Sequence, residues 1–486
     1  MVLLPAFNTP GPWPLALGPH TKVTAMENIY HSVRLDDEKC QGCTNCIKRC
    51  PTQAIRVRGK KAYIISDRCI DCGECIRVCP HHAKYAVSGH FNEILKFKYR
   101  IALPAPSLYG QFNNLDNVDY VLTGLKKMGF DDVVEVSKGA EFISDATRKM
   151  LETGVLKKPV ISSACPAVLR LIRTRFPNLI GNILPLFTPM DFTAKLAREQ
   201  AKQKTGLPDE DIGVFFISPC PAKQTAIKNP LCYDEQQLNG AFSIKDIYPV
   251  LLQTMDKLQP DDLELLNDSG IIGVGWASSG GEAAGLLKER YLAADGIENV
   301  INVLEELEDE KLNDLDFIEL NCCTGGCVGG VLTVENPYVA KARIQRLRKF
   351  MPVSCNSLPE KFHLDALSWT KELQPSPAMK LADNVLKAMR LMTELKEIEQ
   401  SLPGLDCGIC GAPSCRALAD DIVRGYASKE DCVFSSLRAK GGDDSWMPAP
   451  FRGGEKHPHP QREDDYAHDF ERAFLKGQDG EETPKE

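Results

Sequence analysis

Three groups of cysteines in this chain are spaced for metal chemistry. The first reads Cys40-x2-Cys43-x2-Cys46-x3-Cys50-Pro51 and recurs 29 residues later as Cys69-x2-Cys72-x2-Cys75-x3-Cys79-Pro80. Three thiolates on a tight loop grip three corners of an iron-sulfur cubane, and the fourth, a helical turn further on, reaches the neighbouring cluster. Cys40, Cys43, Cys46 and Cys79 are therefore expected to hold one 4Fe-4S cluster, and Cys69, Cys72, Cys75 and Cys50 a second. Structural zinc is the competing reading, but zinc sites rarely interleave eight cysteines or end in Cys-Pro.

The second group is scattered. It comprises Cys165 in Ser162-Ser163-Ala164-Cys165-Pro166, Cys220 in Ser218-Pro219-Cys220-Pro221-Ala222-Lys223, and Cys323 with Cys327 in the run Glu319 to Gly330. Taken singly, a Cys-Pro is usually a buried core cysteine. Three such segments, each directly after a predicted strand and flanked by glycine or proline, instead place four thiolates where one cluster is assembled from distant parts of the chain. The third group is Cys407-x2-Cys410-x4-Cys415 with Cys432 beyond a further sixteen residues, a spacing that suits another 4Fe-4S cluster and leaves zinc open.

The elements around these cysteines read as follows. Residues 1–29 are a Pro- and Gly-rich leader expected to be disordered, and Met26 is as plausible a start as Met1. Residues 30–90 are a duplicated small two-cluster module. From 98 to 370, strand patterns at Tyr99–Leu103, Asp132–Val136, Pro159–Ser163, Gly213–Ser218, Gly270–Gly275 and Phe317–Leu320 alternate with helical ones at Val118–Met128, Ala167–Phe176, Asp191–Lys204 and Ile244–Met255. That alternation predicts an α/β fold with parallel sheets covered by helices, in two lobes, whose ligands sit at the carboxyl ends of strands. A helix over Met379–Ser401, ended by Pro403-Gly404, leads into a small helical cysteine-bearing unit within 377–436, and 440–486 reads as a polar, disordered tail.

Composition excludes several function classes. A net charge of −8 argues against nucleic-acid binding, and no apolar run is long enough to span a membrane or act as a secretion signal. Cysteines clustered for metals rather than disulfides point to a reducing compartment, and we expect the cytoplasm. His457 and His459 in the tail read as solvated residues, Cys232 and Cys355 as packed or incidental, and Cys322 as a neighbour supporting Cys323.

Residues 30 to about 350 resemble the iron-only hydrogenases. The three scattered segments look like that family's signature loops: threonine/serine-serine-cysteine-cysteine-proline, methionine-proline-cysteine-x-x-lysine, and glutamate-x-methionine-alanine-cysteine-x-x-glycine-cysteine-x-x-glycine-glycine. The resemblance implies an α+β ferredoxin domain at 30–90 and a hydrogenase core at 98–370. It makes Cys165, Cys220 and Cys323 cubane ligands, and Cys327 the thiolate bridging to a diiron unit that carries CO, cyanide and an amine-containing dithiolate, together the H-cluster. Lys223 matches the lysine that hydrogen-bonds one cyanide, and Ala105-Pro106-Ser107 the segment that cradles the other. Gly404–Phe434 resembles the small 4Fe-4S domain of corrinoid iron-sulfur proteins.

The chain also departs from the family. Ala164 stands where catalytic members carry a free thiol that relays protons, Ser218 and Asn321 replace two methionines, and Ala226 replaces a glutamate. Removing a positioned proton donor costs about 10²- to 10⁴-fold in rate. This pattern resembles the sensory branch of the family and implies a slow, hydrogen-sensing protein exchanging electrons with ferredoxin or another redox protein and signalling through a separate partner. An ordinary ferredoxin-linked hydrogenase and an iron-sulfur assembly protein are the alternatives.

Overall fold

The computed structural model describes residues 30–234, 237–360 and 362–439. The leader at 1–29 and the tail at 440–486, with His457 and His459, lie outside the described residues.

The sequence repeat is also a backbone repeat. Four short strands frame it, β1 (Val33–Leu35), β2 (Ile55–Arg58), β3 (Lys61–Ile64) and β4 (Lys84–Ala86), with β1 antiparallel to β4 and β2 antiparallel to β3. Left-handed backbone recurs at equivalent places: Gly42 and Asp71 (φ 66° and 53°), Thr44 and Gly73 (67° and 81°), Gln53 and His82 (49° and 48°). Such residues bend the chain sharply enough to wrap cysteines around a point. Each loop then closes in a single helical turn, Asn45–Lys48 or Glu74–Arg77, that buries the third cysteine, Cys46 or Cys75.

Seven further strands build the middle of the chain: β5 (Tyr99–Pro104), β6 (Asp132–Val133), β7 (Val160–Ile161), β8 (Ile212–Ser218), β9 (Gly240–Ser243), β10 (Tyr291–Asp295) and β11 (Phe317–Asn321). They form two sheets, ordered β6-β5-β8-β9 and β10-β11-β7, with every pairing parallel. The fold is α/β in two lobes. β8 is buried along its whole length, as a central parallel strand must be when helices cover both faces. Helices Asp119–Lys127 and Ile244–Met255 pack one face of the first sheet through Leu122, Leu125, Ile247 and Leu251, and Pro189–Thr205 packs the other through Met190, Ala194 and Ala197. Pro166–Arg175 and Ile297–Glu308 cover the second sheet through Leu171, Ile172, Val300 and Leu304.

One predicted strand is a helix. Gly270–Gly275 forms the short helix Ile271–Gly275, because its glycines let it lie against helix Val136–Thr153: a Cβ on Gly273 would stand 2.2 Å from the Ser137 carbonyl oxygen. A short apolar run does not distinguish buried helix from buried strand by periodicity. The predicted strand at Asp132–Val136 ends at Val133 because Val136 opens that same helix. Strands β9 and β10 went unpredicted, and the helix expected from Met379 begins at Val385, where the Asn384 side chain caps it by accepting from the Lys387 amide.

The C-terminal unit, helices Val385–Ser401, Cys415–Val423 and Val433–Ala439, encloses its own small core of Leu395, Ile398, Leu418 and Ala419. It docks on the duplicated module. The Val57 amide donates to the Gly411 carbonyl at 2.9 Å, Lys48 Nζ to the Pro413 carbonyl at 3.0 Å, and Arg68 pairs with Asp420 at 2.8 Å. Gly411 (φ 85°) is required there, since a Cβ would stand 1.8 Å from the Val57 carbonyl oxygen. No described helix is long and apolar enough to cross a membrane.

Candidate metal centre

Strand register brings the scattered segments to common edges. β5 and β8 run together to Pro104 opposite Ile217, so Ala105-Pro106-Ser107 and Ser218-Pro219-Cys220 emerge side by side. Ile161 of β7 lies opposite Ile318 of β11, so the stretch leading to Cys165 emerges beside the one leading to Cys323. Both edges are carboxyl ends, where α/β sheets present their ligand-binding loops. Cys165 and Cys220 each immediately precede a helix that starts with proline, Pro166–Arg175 and Pro221–Lys228. The positive end of a helix favours a thiolate.

The four thiols share one electrostatic neighbourhood with Lys223. Cys220 is influenced by Lys223, Cys323, Cys327 and Cys165, and Cys327 by Lys223, Cys165, Cys323 and Glu319. Burial pushes Cys165 and Cys220 upward and Cys327 up to about 11, with the Lys223 ammonium pulling each back. Cys323 alone lies below the ordinary thiol range, held there first by a hydrogen bond from Cys322 and against its burial. Burial opposes the charge on Lys223, but Cys327, Cys220, Cys165 and Asp191 outweigh it and raise its pKa. Lys223 Nζ donates to the Ala164 carbonyl at 3.0 Å, tying the lysine segment to the Cys165 segment.

The glycine-rich loop after β11 closes the assembly by backbone contact. Gly330 lies so near Pro219 that a Cβ would stand 2.2 Å from the Pro219 carbonyl oxygen, and the Leu332 amide donates to that same carbonyl at 3.0 Å. The loops bearing Cys220 and Cys327 are thereby held in contact.

The other predicted residues surround this cluster of thiols. Ser107 is fully buried and its Oγ has no hydrogen-bond partner among the described residues, which leaves its hydroxyl free to donate. Pro106 opens the 3-10 turn that carries it. The Ser218 hydroxyl donates to the Cys220 carbonyl at 2.9 Å. Asn321 Nδ2 donates to Glu319 at 2.7 Å, and Ala164 donates its amide to Ser162 Oγ at 3.1 Å. Ala226 sits one turn beyond Lys223 on helix Pro221–Lys228, partly buried.

The sequence leaves Glu319 open between a group that orients the third loop and a plain helix or strand-end carboxylate, and Gly280-Gly281-Glu282 resembles a turn of the hydrogenase family or else reads as a helix start. Glu319 accepts from the Gly280 and Ala283 amides at 3.0 and 2.9 Å. Glu282 meets the Ser162 hydroxyl through both oxygens at 2.8 and 2.7 Å. Burial, then the charge of Glu319, drives Glu282 well above the usual carboxylate range, while burial raises Glu319 against its amide donors. Two backbone N–H bonds favour an ionised carboxylate, so Glu319 carries the charge and Glu282 the proton. Also unforeseen was His31, whose Nδ1 stands 2.6 Å from Asp71 between the second module's cysteines. A lone glutamate or histidine carries no spacing signal that would have marked it.

Each remaining group of cysteines is gathered round its own cavity. Cys40, Cys43, Cys46 and Cys79 line one, Cys50, Cys69, Cys72 and Cys75 a second, and Cys407, Cys410, Cys415 and Cys432 a third. Cys232 and Cys322 are buried outside these groups, and Cys355 is exposed.

Comparison with known proteins matches three stretches of the chain to families. Residues 98–331 match the family described as the iron only hydrogenase large subunit, C-terminal domain, residues 32–80 a 4Fe-4S dicluster domain, and residues 402–434 an Fe-S cluster family. Iron hydrogenase 1 of Clostridium pasteurianum is 22% identical over 68% of this chain and 70% of its own length. The periplasmic Fe hydrogenase large subunit of Nitratidesulfovibrio vulgaris is 29% identical over 40% of this chain, which spans about half (51%) of that relative. A solved structure of a variant of the FeFe-hydrogenase HydA1 from Chlamydomonas reinhardtii aligns at 18% identity over 58% of this chain and 88% of that one, with a TM-score of 0.41.

Proposed function

We propose that this chain, whose residues 98–331 match the C-terminal domain of the iron only hydrogenase large subunit between matches to a 4Fe-4S dicluster domain and a further Fe-S cluster family, is a low-turnover, hydrogen-responsive redox protein. In this reading it interconverts H2 with protons and electrons at Cys165, Cys220, Cys323 and Cys327 and relays electrons through three more 4Fe-4S clusters. The observation that carries the proposal is the gathering of these thiols, from three loops on two sheets, around Lys223 with Ala164 beside it.

The residues fit an H-cluster. The four thiols would hold a cubane, with Cys327 the residue that would also reach a diiron unit, and the Lys223 ammonium and the Ser107 hydroxyl would be donors suited to anionic cyanide ligands. When bound, that group supplies the metal and basic amine at which H2 is split heterolytically. Around it, Cys165 and Cys220 sit at helix N-termini that stabilise thiolates, and Glu319 holds the glycine turn at Gly280.

Proton delivery is where this chain differs from a fast enzyme. Ala164 has no proton to give. Glu282 holds one at its carboxyl, against Ser162 and one hydroxyl away from the Ala164 amide. Ser162 keeps that carboxyl oriented but is itself tied on both sides, so delivery toward the site is slow. Cys50, Cys69, Cys72 and Cys75 would hold the cluster next to the core, and Cys40, Cys43, Cys46 and Cys79 the one beyond it, together supplying an electron route, while a cluster held by Cys407, Cys410, Cys415 and Cys432 would serve exchange with a ferredoxin, another redox protein or a signalling partner.

Infrared spectroscopy of anaerobic protein matured with the diiron unit tests the reading. Bands from metal-bound CO and cyanide, with hydrogen turnover well below that of catalytic relatives, are the expected result. Fully loaded cubanes without those bands would instead favour a role in iron-sulfur assembly, and turnover equal to catalytic relatives would make it an ordinary hydrogenase.

A further inference from the structure

The duplicated module builds two cavities from the same backbone, and the cavities differ by a buried lysine. Residues 29 apart fill equivalent places: the Ala54 amide donates to Cys50 Sγ at 3.1 Å, and the Ala83 amide to Cys79 Sγ at 3.3 Å. The next residue opens a strand in each half, Ile55 in β2 and Lys84 in β4. Ile55 lines the inner cavity, that of Cys50, Cys69, Cys72 and Cys75, and Lys84 lines the outer one, that of Cys40, Cys43, Cys46 and Cys79. An apolar side chain on one side is thus matched by a cationic one on the other.

Lys84 is 3% exposed, and its Nζ is buried with no hydrogen-bond partner among the described residues. A lysine is almost never buried in this way, because an ammonium taken out of water is costly unless something anionic faces it. The neighbouring charges are placed differently. Lys61, beside the first loop, is exposed and gives its Nζ to the carbonyls of Asp37 and Cys40, the latter at 2.8 Å. His81 lines the outer cavity but is exposed to solvent. Asp71, the counterpart of Gly42, lines the inner cavity with both oxygens engaged: Oδ1 accepts from the Val33 amide at 3.0 Å, and Oδ2 stands 2.6 Å from His31 Nδ1. Its charge is met by those groups, whereas Lys84 meets none.

The anion that suits Lys84 is the cluster that the outer cavity would hold. A 4Fe-4S cluster on four thiolates is negative in both oxidation states and gains a further negative charge on reduction. A buried cation beside it favours the reduced form, since the attraction is little screened there, and local charge is one of the determinants of cluster potential. We propose that the Lys84 ammonium raises the reduction potential of the outer cluster above that of its inner twin, so that the module draws electrons away from the core. In that step the inner cluster gives up one electron and is oxidised, the outer cluster takes it and is reduced, and the proton stays on Lys84 Nζ. The packing gives the step its direction. Gly73 of the second loop lies so close to the core that a Cβ would stand 2.5 Å from Val331 Cγ2. Val57, which lines the outer cavity, donates its amide instead to Gly411, the residue after Cys410, at 2.9 Å. An electron held at the outer cluster therefore stands on the side of the C-terminal cysteines.

This inference rests on the reading that the eight cysteines of the module hold two 4Fe-4S clusters, and it does not require the diiron unit. The test uses the full chain, reconstituted anaerobically with iron and sulfide, as wild type, Lys84→Ile, Lys84→Arg and Cys79→Ala, in redox titrations followed by electron paramagnetic resonance. Iron and sulfide content is measured first. A wild-type chain that takes up no cluster in the module refutes the functional reading before any potentials are compared. The signal lost in Cys79→Ala identifies the outer cluster. In the wild type that signal is expected to titrate at a higher potential than its twin. Lys84→Ile, which gives both cavities the same residue, should move it to more negative values and further than the inner one, while Lys84→Arg, which keeps the charge, should leave it near the wild-type midpoint. An outer cluster that titrates below the inner one in the wild type, an unchanged outer midpoint in Lys84→Ile, an equal shift of both clusters, or an arginine variant that behaves like the isoleucine one overturns the proposal. Should Lys84→Ile load poorly, Lys84→Met, which keeps the unbranched stem, is titrated in its place and read by the same criteria.

Discussion

Arg56 and Asp421, 365 residues apart, form a two-point ion pair, with Nε to Oδ2 at 2.7 Å and Nη2 to Oδ1 at 2.9 Å. Both side chains are almost completely buried, at 0% and 4% exposure. Arg56 also donates to the Gln53 carbonyl, and Arg58 reaches the same carboxylate. The pair lies where the C-terminal unit meets the duplicated module. Removing one partner from such a pair leaves a bare buried charge, at a cost of about 3–5 kcal/mol, whereas replacing both by apolar residues is often neutral. Asp421→Ala should therefore release the C-terminal unit, seen as rapid limited proteolysis near residue 385 and an earlier first thermal transition. Arg56→Met combined with Asp421→Leu should restore most of the docking. Equal protease resistance in the single variant and wild type would mean that the remaining backbone contacts suffice.

Ala164 lies one residue before Cys165, and its carbonyl accepts from Lys223. A thiol at that position would stand beside the four cysteines on the Ser162 side, next to the carboxyl that holds a proton. Ala164→Cys is predicted to raise hydrogen turnover by about 10²-fold, the lower end of what a positioned proton donor contributes. Hydrogen evolution driven by a chemical reductant measures it. Equal rates in the two proteins would place the bottleneck in electron transfer or release.

Glu282 supplies a pH signature. Burial and the neighbouring Glu319 charge raise its folded-state pKa well above the ordinary value. A carboxyl raised in this way contributes stability that is fully present below the unfolded pKa of about 4.3 and is lost as the pH climbs through the folded value. Glu282→Gln cannot ionise, so its stability relative to wild type should improve steadily above about pH 4 and level off beyond the folded pKa. Denaturant titrations at several pH values read this out. The same variant has no proton to lend, and its turnover should fall by about 10²-fold or more. A variant that keeps the wild-type rate would remove Glu282 from the proton route.

What was legible in the sequence was what is encoded locally. Cys-x2-Cys-x2-Cys fixes a loop geometry by itself, and a strand followed by Cys-Pro places a thiol at a strand end in any parallel sheet, so the gathering of Cys165, Cys220, Cys323 and Cys327 could be anticipated. Contacts between distant segments left no such mark. Nothing about Asp421 announces Arg56, and Glu282 between glycine and alanine reads as a helix start until Ser162 is brought beneath it. The segment Gly270–Gly275 misled for the related reason that its glycines serve packing against Ser137 and Glu141, which the local pattern does not contain.

The duplicated module offers a final check on the crossing of its ligand sets. Cys79 lies in the second repeat but lines the cavity of Cys40, Cys43 and Cys46, and Cys50 lies in the first but lines that of Cys69, Cys72 and Cys75. The backbone explains the exchange. Cys50 and Cys79 follow the single-turn helices that carry Cys46 and Cys75, and the two helices pack against each other, so each fourth cysteine points across to the other loop. Cys79→Ala should therefore weaken the cluster held by the first loop, whose Cys43 is exposed, and spare the one nearest the core. Cys50→Ala should do the reverse and interrupt electron flow from Cys323. Reduction by H2 distinguishes the two. The Cys79 variant is expected to keep a reducible cluster beside Cys72, and the Cys50 variant to lose it while its outer cluster still accepts electrons from dithionite. Loss of the same cluster in both variants would mean that the four-cysteine sets follow the repeats rather than cross between them.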